Sequence, residues 1–324
     1  NSETATVLGT GTITNVGTTP NTAGDITWGT AKSTNYTYNS EKDDLGTLEI
    51  TPATMTVSGT NYSGAYDGAA HGDAATPSVT DGTTVSYKVG EGEWTTTVPT
   101  VTDFTNGKIT VSVKAENPNY ATAECTYTLE VTKRPITVND EASKVYNGSK
   151  QTLTIGADKA KGVVSGETLT LTGATISGTN VGDYTTLDGD YTWSVVKADK
   201  ATDSTGNYTI KVTGKLTITK SDRPADKQIV VGDYNDEYDA DSHGVTVTGN
   251  DIEGDKTYYS LDGQSWVETA PLRTDVQAAE TVYVKVTNPN YNDGTDDGTI
   301  TITPVEITVN DEASKVYNGS KQTL

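Results

Sequence analysis

The sequence predicts an all-β chain of tandem small sandwich modules, and three observations carry that reading. Short runs such as "KITVSVKAE" (108–116) and "GKLTITK" (214–220) alternate Val, Ile and Leu with Thr, Ser and Lys, the period-two pattern of half-buried strands. Gly, Asn, Asp and Thr interrupt these runs about every eight to twelve residues, the rhythm of a sandwich or barrel. The eighteen residues "ITVNDEASKVYNGSKQTL" occur twice without change, at 136–153 and again at 307–324.

The identical stretches belong to a period of 171 residues that holds two different modules, A and B. The first B contains "AYDGAAHG", "SYKVGEGEW", "VSVKAENPNY" and "YTLEVTK", and the second answers with "EYDADSHG", "YYSLDGQSW", "VYVKVTNPNY" and "GTITITP". Tyr66 matches Tyr238, His71 matches His243, Trp94 matches Trp266 and Tyr120 matches Tyr291, at offsets of 171 or 172. A is complete once, and the N-terminal segment is the back part of another: Glu3 matches Glu167, Asn15–Gly17 match Asn180–Gly182, and Trp28 matches Trp193.

The expected order is a partial A (1–52), B (53–134), A (135–220), B (221–305) and the first strands of a further A (306–324). Both ends then read as cuts through A modules, and the expectation is a window of a longer protein.

Within each B, "KVGEGEW" and "SLDGQSW" place Gly at the tips of equivalent hairpins. "NPNY" follows a strand in both copies, where Pro ends the ladder and Asn tolerates a left-handed turn. In "VSVKA" and "VYVKV" the valines share one face, leaving Lys114 and Lys285 outside. Modules of this size fit a small Ig-like sandwich; a β-grasp unit is the alternative, with one short helix in "ADKAKGVVSG" (157–166). The joints "ITPATMTV", "TKRPITV", "ITKSDRP" and "ITPVEITV" are very short and each contains a Pro, so bending is restricted. An elongated rod follows, at roughly 30 Å or more per module.

Composition narrows function. The chain carries 44 Asp and Glu against 23 Lys and Arg, a net charge of −21, which argues against nucleic acid and against docking on anionic lipid. The single cysteine, Cys125, has Asp296 at the matching place, so no intrachain disulfide and no repeated thiol chemistry are expected. No stretch reads as a transmembrane span, signal peptide, lipidation signal or wall anchor. No paired nucleophile and base, phosphate loop or repeated metal set is present, so no enzyme activity is expected.

"KVYNGSKQTL", "AYDGAAHG", "YSLDGQSW" and "VTNPNY" resemble the YDG and MBG-type repeats of large bacterial surface proteins and adhesins. The resemblance covers nearly the whole chain and implies a secreted, cell-attached, multi-repeat protein. Two departures stand out: Asn147 and Asn318 where such repeats often carry Asp, and Ala240 where the first B has Gly68.

Several residue sets are candidates for chemistry. Asp67 with His71, and Asp239 with His243, have a spacing that closes a turn by a hydrogen bond, whereas zinc requires three or four ligands. Asp233, Asp236, Asp239 and Asp241 in "GDYNDEYDADSHG", with Asp293, Asp296 and Asp297 in "NYNDGTDDG", are candidate calcium ligands, set against solvated acidic loops. Tyr87 with Trp94, and Tyr259 with Trp266, are candidates for stacking on a sugar, set against core positions. An isopeptide at Lys88 or Lys114 lacks a repeated Lys–acid–acid set.

The expected role is a structural stalk at the bacterial cell surface, with neighbouring repeats of the same protein as partners and length growing by repetition. Two alternatives are kept: repeats that bind a glycan or host protein, and self-association into a filament by strand donation between truncated A modules.

Overall fold

A computed structural model describes residues 2–42, 44–309 and 316–322. It is all-β: strands are joined by turns and short 3-10 segments, with no α-helix among the described residues. The chain forms two compact units, one of residues 1–137, 160–170 and 193–211, the other of 138–159, 171–192 and 212–324.

In the first unit, the first B is a two-layer sandwich. Its larger sheet runs in the order Tyr62–Ala65, Tyr120–Thr132, Ile109–Asn117 and Thr84–Val89. Tyr62–Ala65 lies parallel to the last strand and the other pairs are antiparallel. A two-stranded sheet, Val57–Ser58 with Thr76–Pro77, covers it. The alternation read from "VSVKA" buries Val111, Val113 and Ala115, which meet Met55, Val57 and Ala75 of the small sheet with Tyr87, Tyr127 and Leu129. Gly59 is required where the layers approach, because a Cβ there would lie 2.3 Å from the Tyr127 ring. The N-terminal segment pairs Ala5–Gly9 with Ala23–Trp28 and Gly17–Pro20 with Thr47–Ile50.

In the second unit, the second B repeats the plan. Tyr234–Glu237 runs parallel to Gly294–Thr303, followed by Gln277–Thr287 and Lys256–Ser260, over the small sheet Val230–Gly232 with Thr246–Thr248. Val282, Val284, Val286, Ile300 and Ile302 form its centre with Ile229 and Val231. A buried ion pair joins this unit: Arg223 donates to both carboxylate oxygens of Asp255, at 3.0 and 2.7 Å, and to the carbonyls of Lys227 and Gly249. Also in this unit, Gln151–Thr154 pairs with Thr175–Gly178.

The hairpin tips fall where the sequence places them: Gly90 and Gly263 take φ of +53° and +70°. Behind them Tyr87 exchanges two backbone bonds with Thr95, and Tyr259 two with Val267. The short helix of the β-grasp alternative does not form; Ala157–Lys159 is a 3-10 turn followed by the strand Ala160–Lys161. Gly156 and Gly162 bracket too few residues, and Val163 and Val164 follow, for a helix to be stable. The left-handed non-glycine residues among the described ones are Asn106, Lys200 and Ala240, so neither Asn119 nor Asn290 has a positive φ.

Candidate functional site: the joints between modules

The most strongly built polar sites lie where one module meets the next. There are two kinds: one for A followed by B, seen twice, and one for B followed by A, seen once among the described residues.

The A-to-B joint is made by the second Asn of NPNY. Pro118 and Pro289 end the strand, and the first Asn caps the turn: Asn117 Oδ1 accepts from Asn119 N at 3.0 Å, and Asn288 Oδ1 from Asn290 N at 2.9 Å. That turn aims the second side chain at the preceding module's "TNVG" turn. Asn119 Oδ1 accepts from Val16 N at 2.9 Å and its Nδ2 donates to Asn15 Oδ1 at 3.2 Å. Asn290 makes the same bonds to Val181 N and Asn180 Oδ1, at 2.9 and 3.2 Å. The linker adds a parallel bridge each time, Ala53 with Tyr120 and Ser221 with Tyr291.

The B-to-A joint is built on the tyrosine of AYDG. The parallel first strand ends with Tyr66 N donating to Thr132 O at 2.9 Å, which fixes where the ring projects. Tyr66 is 1% exposed. Its hydroxyl donates to Glu167 Oε1 at 2.6 Å, while Tyr208 donates to Glu167 Oε2 at 2.7 Å. Ser204 Oγ lies 3.2 Å from both Tyr66 Oη and Glu167 Oε1, and the two rings meet edge to face at 5.4 Å. One carboxylate therefore clamps tyrosines from two modules. Burial, then the bond to Glu167, pushes the Tyr66 hydroxyl above its ordinary pKa; the same two causes push Tyr208 up further.

A second contact flanks the clamp. Asn207 Oδ1 accepts from Phe104 N at 2.7 Å, its Nδ2 donates to Asp103 at 2.9 Å, and Lys197 pairs with Asp103 at 3.1 Å. The bond from Lys197 holds the Asp103 carboxyl below its usual range. The linker "KRP" is pinned by Arg134, whose Nε donates to Gly162 O at 2.6 Å and Nη1 to Tyr66 O at 3.3 Å. The restriction expected from proline is thus reinforced by the arginine before it.

The residues singled out from sequence lie elsewhere. His71 and His243 close their turns on Asp67 and Asp239 at 2.9 and 2.8 Å. Each imidazole stacks on a tyrosine, Tyr62 or Tyr234, at about 4 Å between centroids. The bond to histidine is the main cause that lowers the pKa of both aspartates.

Tyr87 is buried in the core and its hydroxyl accepts from Ala75 N at 3.0 Å. Trp94 is 40% exposed, with the Lys114 and Lys88 ammoniums 5.2 and 5.6 Å from its ring centroid. Lys285 sits 4.5 Å from the half-buried Trp266. The lysines read as outward therefore cover the tryptophan faces. Tyr259 is half-buried and lines a cavity of about 440 Å³ with Leu261, Val267 and Pro271.

The acidic residues reach separate local partners. Asp233 accepts from Thr299 N, Asp296 from Val231 N and Asp236 from Glu237 N, while Asp239 also takes Asp241 N and Asp293 faces Lys220. Asp241 and Asp297 are exposed. Among the described residues no three His, Cys, Asp or Glu converge as a metal site. Of the expected donor strand at 307–324, residues 310–315, 323 and 324 lie outside the described residues.

No family model matches the chain, and no curated protein matches it. Among solved structures it is similar to the human desmocollin-1 ectodomain, 12% identical over 80% of this chain and 64% of that one, with a TM-score of 0.23. It is also similar to Drosophila N-cadherin EC1-4, 13% identical over 80% and 77%, TM-score 0.25. A third is the Bacteroides ovatus glucan-utilization protein SGBP-B in complex with a mixed-linkage heptasaccharide, 13% identical over 76% and 67%, TM-score 0.20.

Proposed function

We propose that the chain is a stalk segment of a large, repetitive extracellular protein of the bacterial surface, holding other domains away from the cell. The observation that carries this reading is the recurrence of one joint. Asn119 and Asn290 grip the preceding module through the same two bonds at the same distances, 171 residues apart. A module surface evolved for a soluble ligand has no reason to reproduce its contacts to its own neighbour. A stalk does, because each fixed joint removes a hinge and nearest-neighbour contacts sum along the array. The resemblance of "AYDG" and "VTNPNY" to bacterial surface repeats supports the location, and the charge of −21 keeps such an array dispersed.

Small-angle scattering of the dilute chain, with and without millimolar calcium, tests the proposal. One fixed arrangement should account for both curves. A curve that requires a broad ensemble, or that stiffens only when calcium is added, would contradict it.

A further inference from the structure

The two kinds of joint share one element. In each, an Asn-Tyr pair of the following module meets a turn of the preceding one that holds Asn or Asp and then an apolar residue. Asn119 and Tyr120 meet Asn15 and Val16, Asn207 and Tyr208 meet Asp103 and Phe104, and Asn290 and Tyr291 meet Asn180 and Val181. The asparagine Oδ1 accepts from the backbone N–H of the apolar residue, at 2.9, 2.7 and 2.9 Å. Its Nδ2 donates to the side-chain oxygen of the Asn or Asp just before, at 3.2, 2.9 and 3.2 Å.

The tyrosine of the pair is met alike from both module types. Tyr146, in the "YNG" of A, holds the place of Tyr66 in "YDG": its N–H donates to Thr219 O at 2.9 Å, as Tyr66 N does to Thr132 O. Tyr66 then meets Tyr208 edge to face at 5.4 Å and 79°, and Tyr146 meets Tyr291 at 5.3 Å and 86°. The turns that deliver the asparagine nevertheless differ. B uses the Asn-Pro-Asn turn, whereas A uses the 3-10 turn Thr205–Asn207, with Asn207 N donating to Ser204 O at 3.0 Å. Unlike turns that make like bonds point to the joint, and not the turn, as the feature this sequence is built to produce.

We infer that the Asn-Tyr corner is a single docking element that accepts the exit turn of either module, so fit does not impose the alternation of A and B. Its partner is any module presenting a side-chain acceptor followed by an apolar residue with a free N–H. Asparagine suits the task because one planar amide offers an acceptor and a donor side by side, and aspartate lacks the donor. The exit turns of A and B differ in Asn against Asp, and both supply the acceptor oxygen. Glu167 and Lys197 are then additions by which A strengthens its hold on a preceding B. The inference rests on the stalk reading and adds to it the rule by which a neighbour is recognised.

Exchanging exit turns in the full chain tests it. Asp103→Asn with Phe104→Val gives the first B the exit of A, and Asn180→Asp with Val181→Phe gives A the exit of B. With Cys125→Ser, spin labels at the exposed positions Glu124 and Lys211 read the Asn207 joint, and labels at Glu141 and Thr295 read the Asn290 joint. Each exchanged joint should keep the narrow distance distribution of its parent, and broadening in a chain that circular dichroism shows to be folded overturns the inference. Single changes at the reading asparagine probe the same rule without altering bulk. Asn207→Asp sets two carboxylates against each other and should broaden its joint, and adding Asp103→Asn returns a donor and should narrow it again. Asn290→Asp should leave its joint narrow, because the Asn180 amide can turn over to donate. A narrow Asn207→Asp joint, or a double variant that stays broad, overturns the inference, as does an Asn290→Asp joint that broadens as far as the Asn207→Asp one. A parent joint that is itself broad contradicts the stalk reading, whereas narrow parents with broad exchanges contradict this inference alone.

Discussion

Tyr66 and Tyr238 occupy the same place in two copies of one module and end in opposite environments. Both follow a strand parallel to the module's last strand, and both backbone N–H groups donate at 2.9 Å to a threonine carbonyl. Tyr66 is buried against Glu167, Ser204 and Tyr208, while the Tyr238 ring stands exposed. The module therefore presents the tyrosine by itself, and the neighbour only receives it. What the neighbour supplies is a carboxylate already held by its own tyrosine, a pre-formed acceptor that loses little freedom on docking.

The largest expected effect comes from removing that acceptor. Glu167→Ala strands two buried hydroxyls and should cost about 3 kcal/mol in urea unfolding, whereas the exposed Glu3→Ala should cost less than about 0.5 kcal/mol. Equal losses would break the comparison. Next, Tyr66→Phe should cost about 1.5 kcal/mol and Tyr238→Phe nothing measurable, read from paired denaturation curves of the dilute chain. Asn119→Ala and Asn290→Ala should each cost about 1 kcal/mol and match each other, since their geometry repeats. A large inequality would mean that the repeated distances do not carry repeated energy.

The alkaline side follows from the tyrosine pKa values. Burial and the Glu167 bond raise both Tyr66 and Tyr208, so the folded state retains protons that the unfolded chain releases. Their contribution is complete below about pH 10 and is lost as the pH rises through the raised folded values. Unfolding midpoints should begin to fall as the pH rises above about 10, and less steeply in Tyr66→Phe. The smallest effect sharpens the contrast. The Tyr127 hydroxyl is buried with no hydrogen-bond partner among the described residues. Tyr127→Phe should leave stability unchanged or raise it by about 1 kcal/mol, which calorimetry can resolve.

The sequence makes the strands legible and the joints nearly invisible. "VSVKA" announces a buried valine face because alternation is local, and the Gly-tipped hairpins announce themselves for the same reason. Nothing within ten residues of Tyr66 tells what buries it, because Glu167 lies 101 residues away and Ser204 138. The repeat did mark Tyr66, Glu3 and Glu167 as matched positions, and that match is the signal from which the clamp could have been found. Asn119 was read for its backbone, whereas its side chain reaches Val16 across 103 residues. The aromatic residues near the hairpin drew attention by their size. Lys114 and Lys285 cover the tryptophans because their neighbours across the strand ladder point to the same face.

The central claim is that side-chain clamps fix one module on the next. Spin labels at the exposed positions Glu124 and Lys211, with Cys125 replaced by Ser, place one probe on each side of the Tyr66 joint. Double electron–electron resonance should give a single narrow distance distribution that broadens in Glu167→Ala. A distribution already broad in the unmutated joint, and unchanged by Glu167→Ala, would contradict the account.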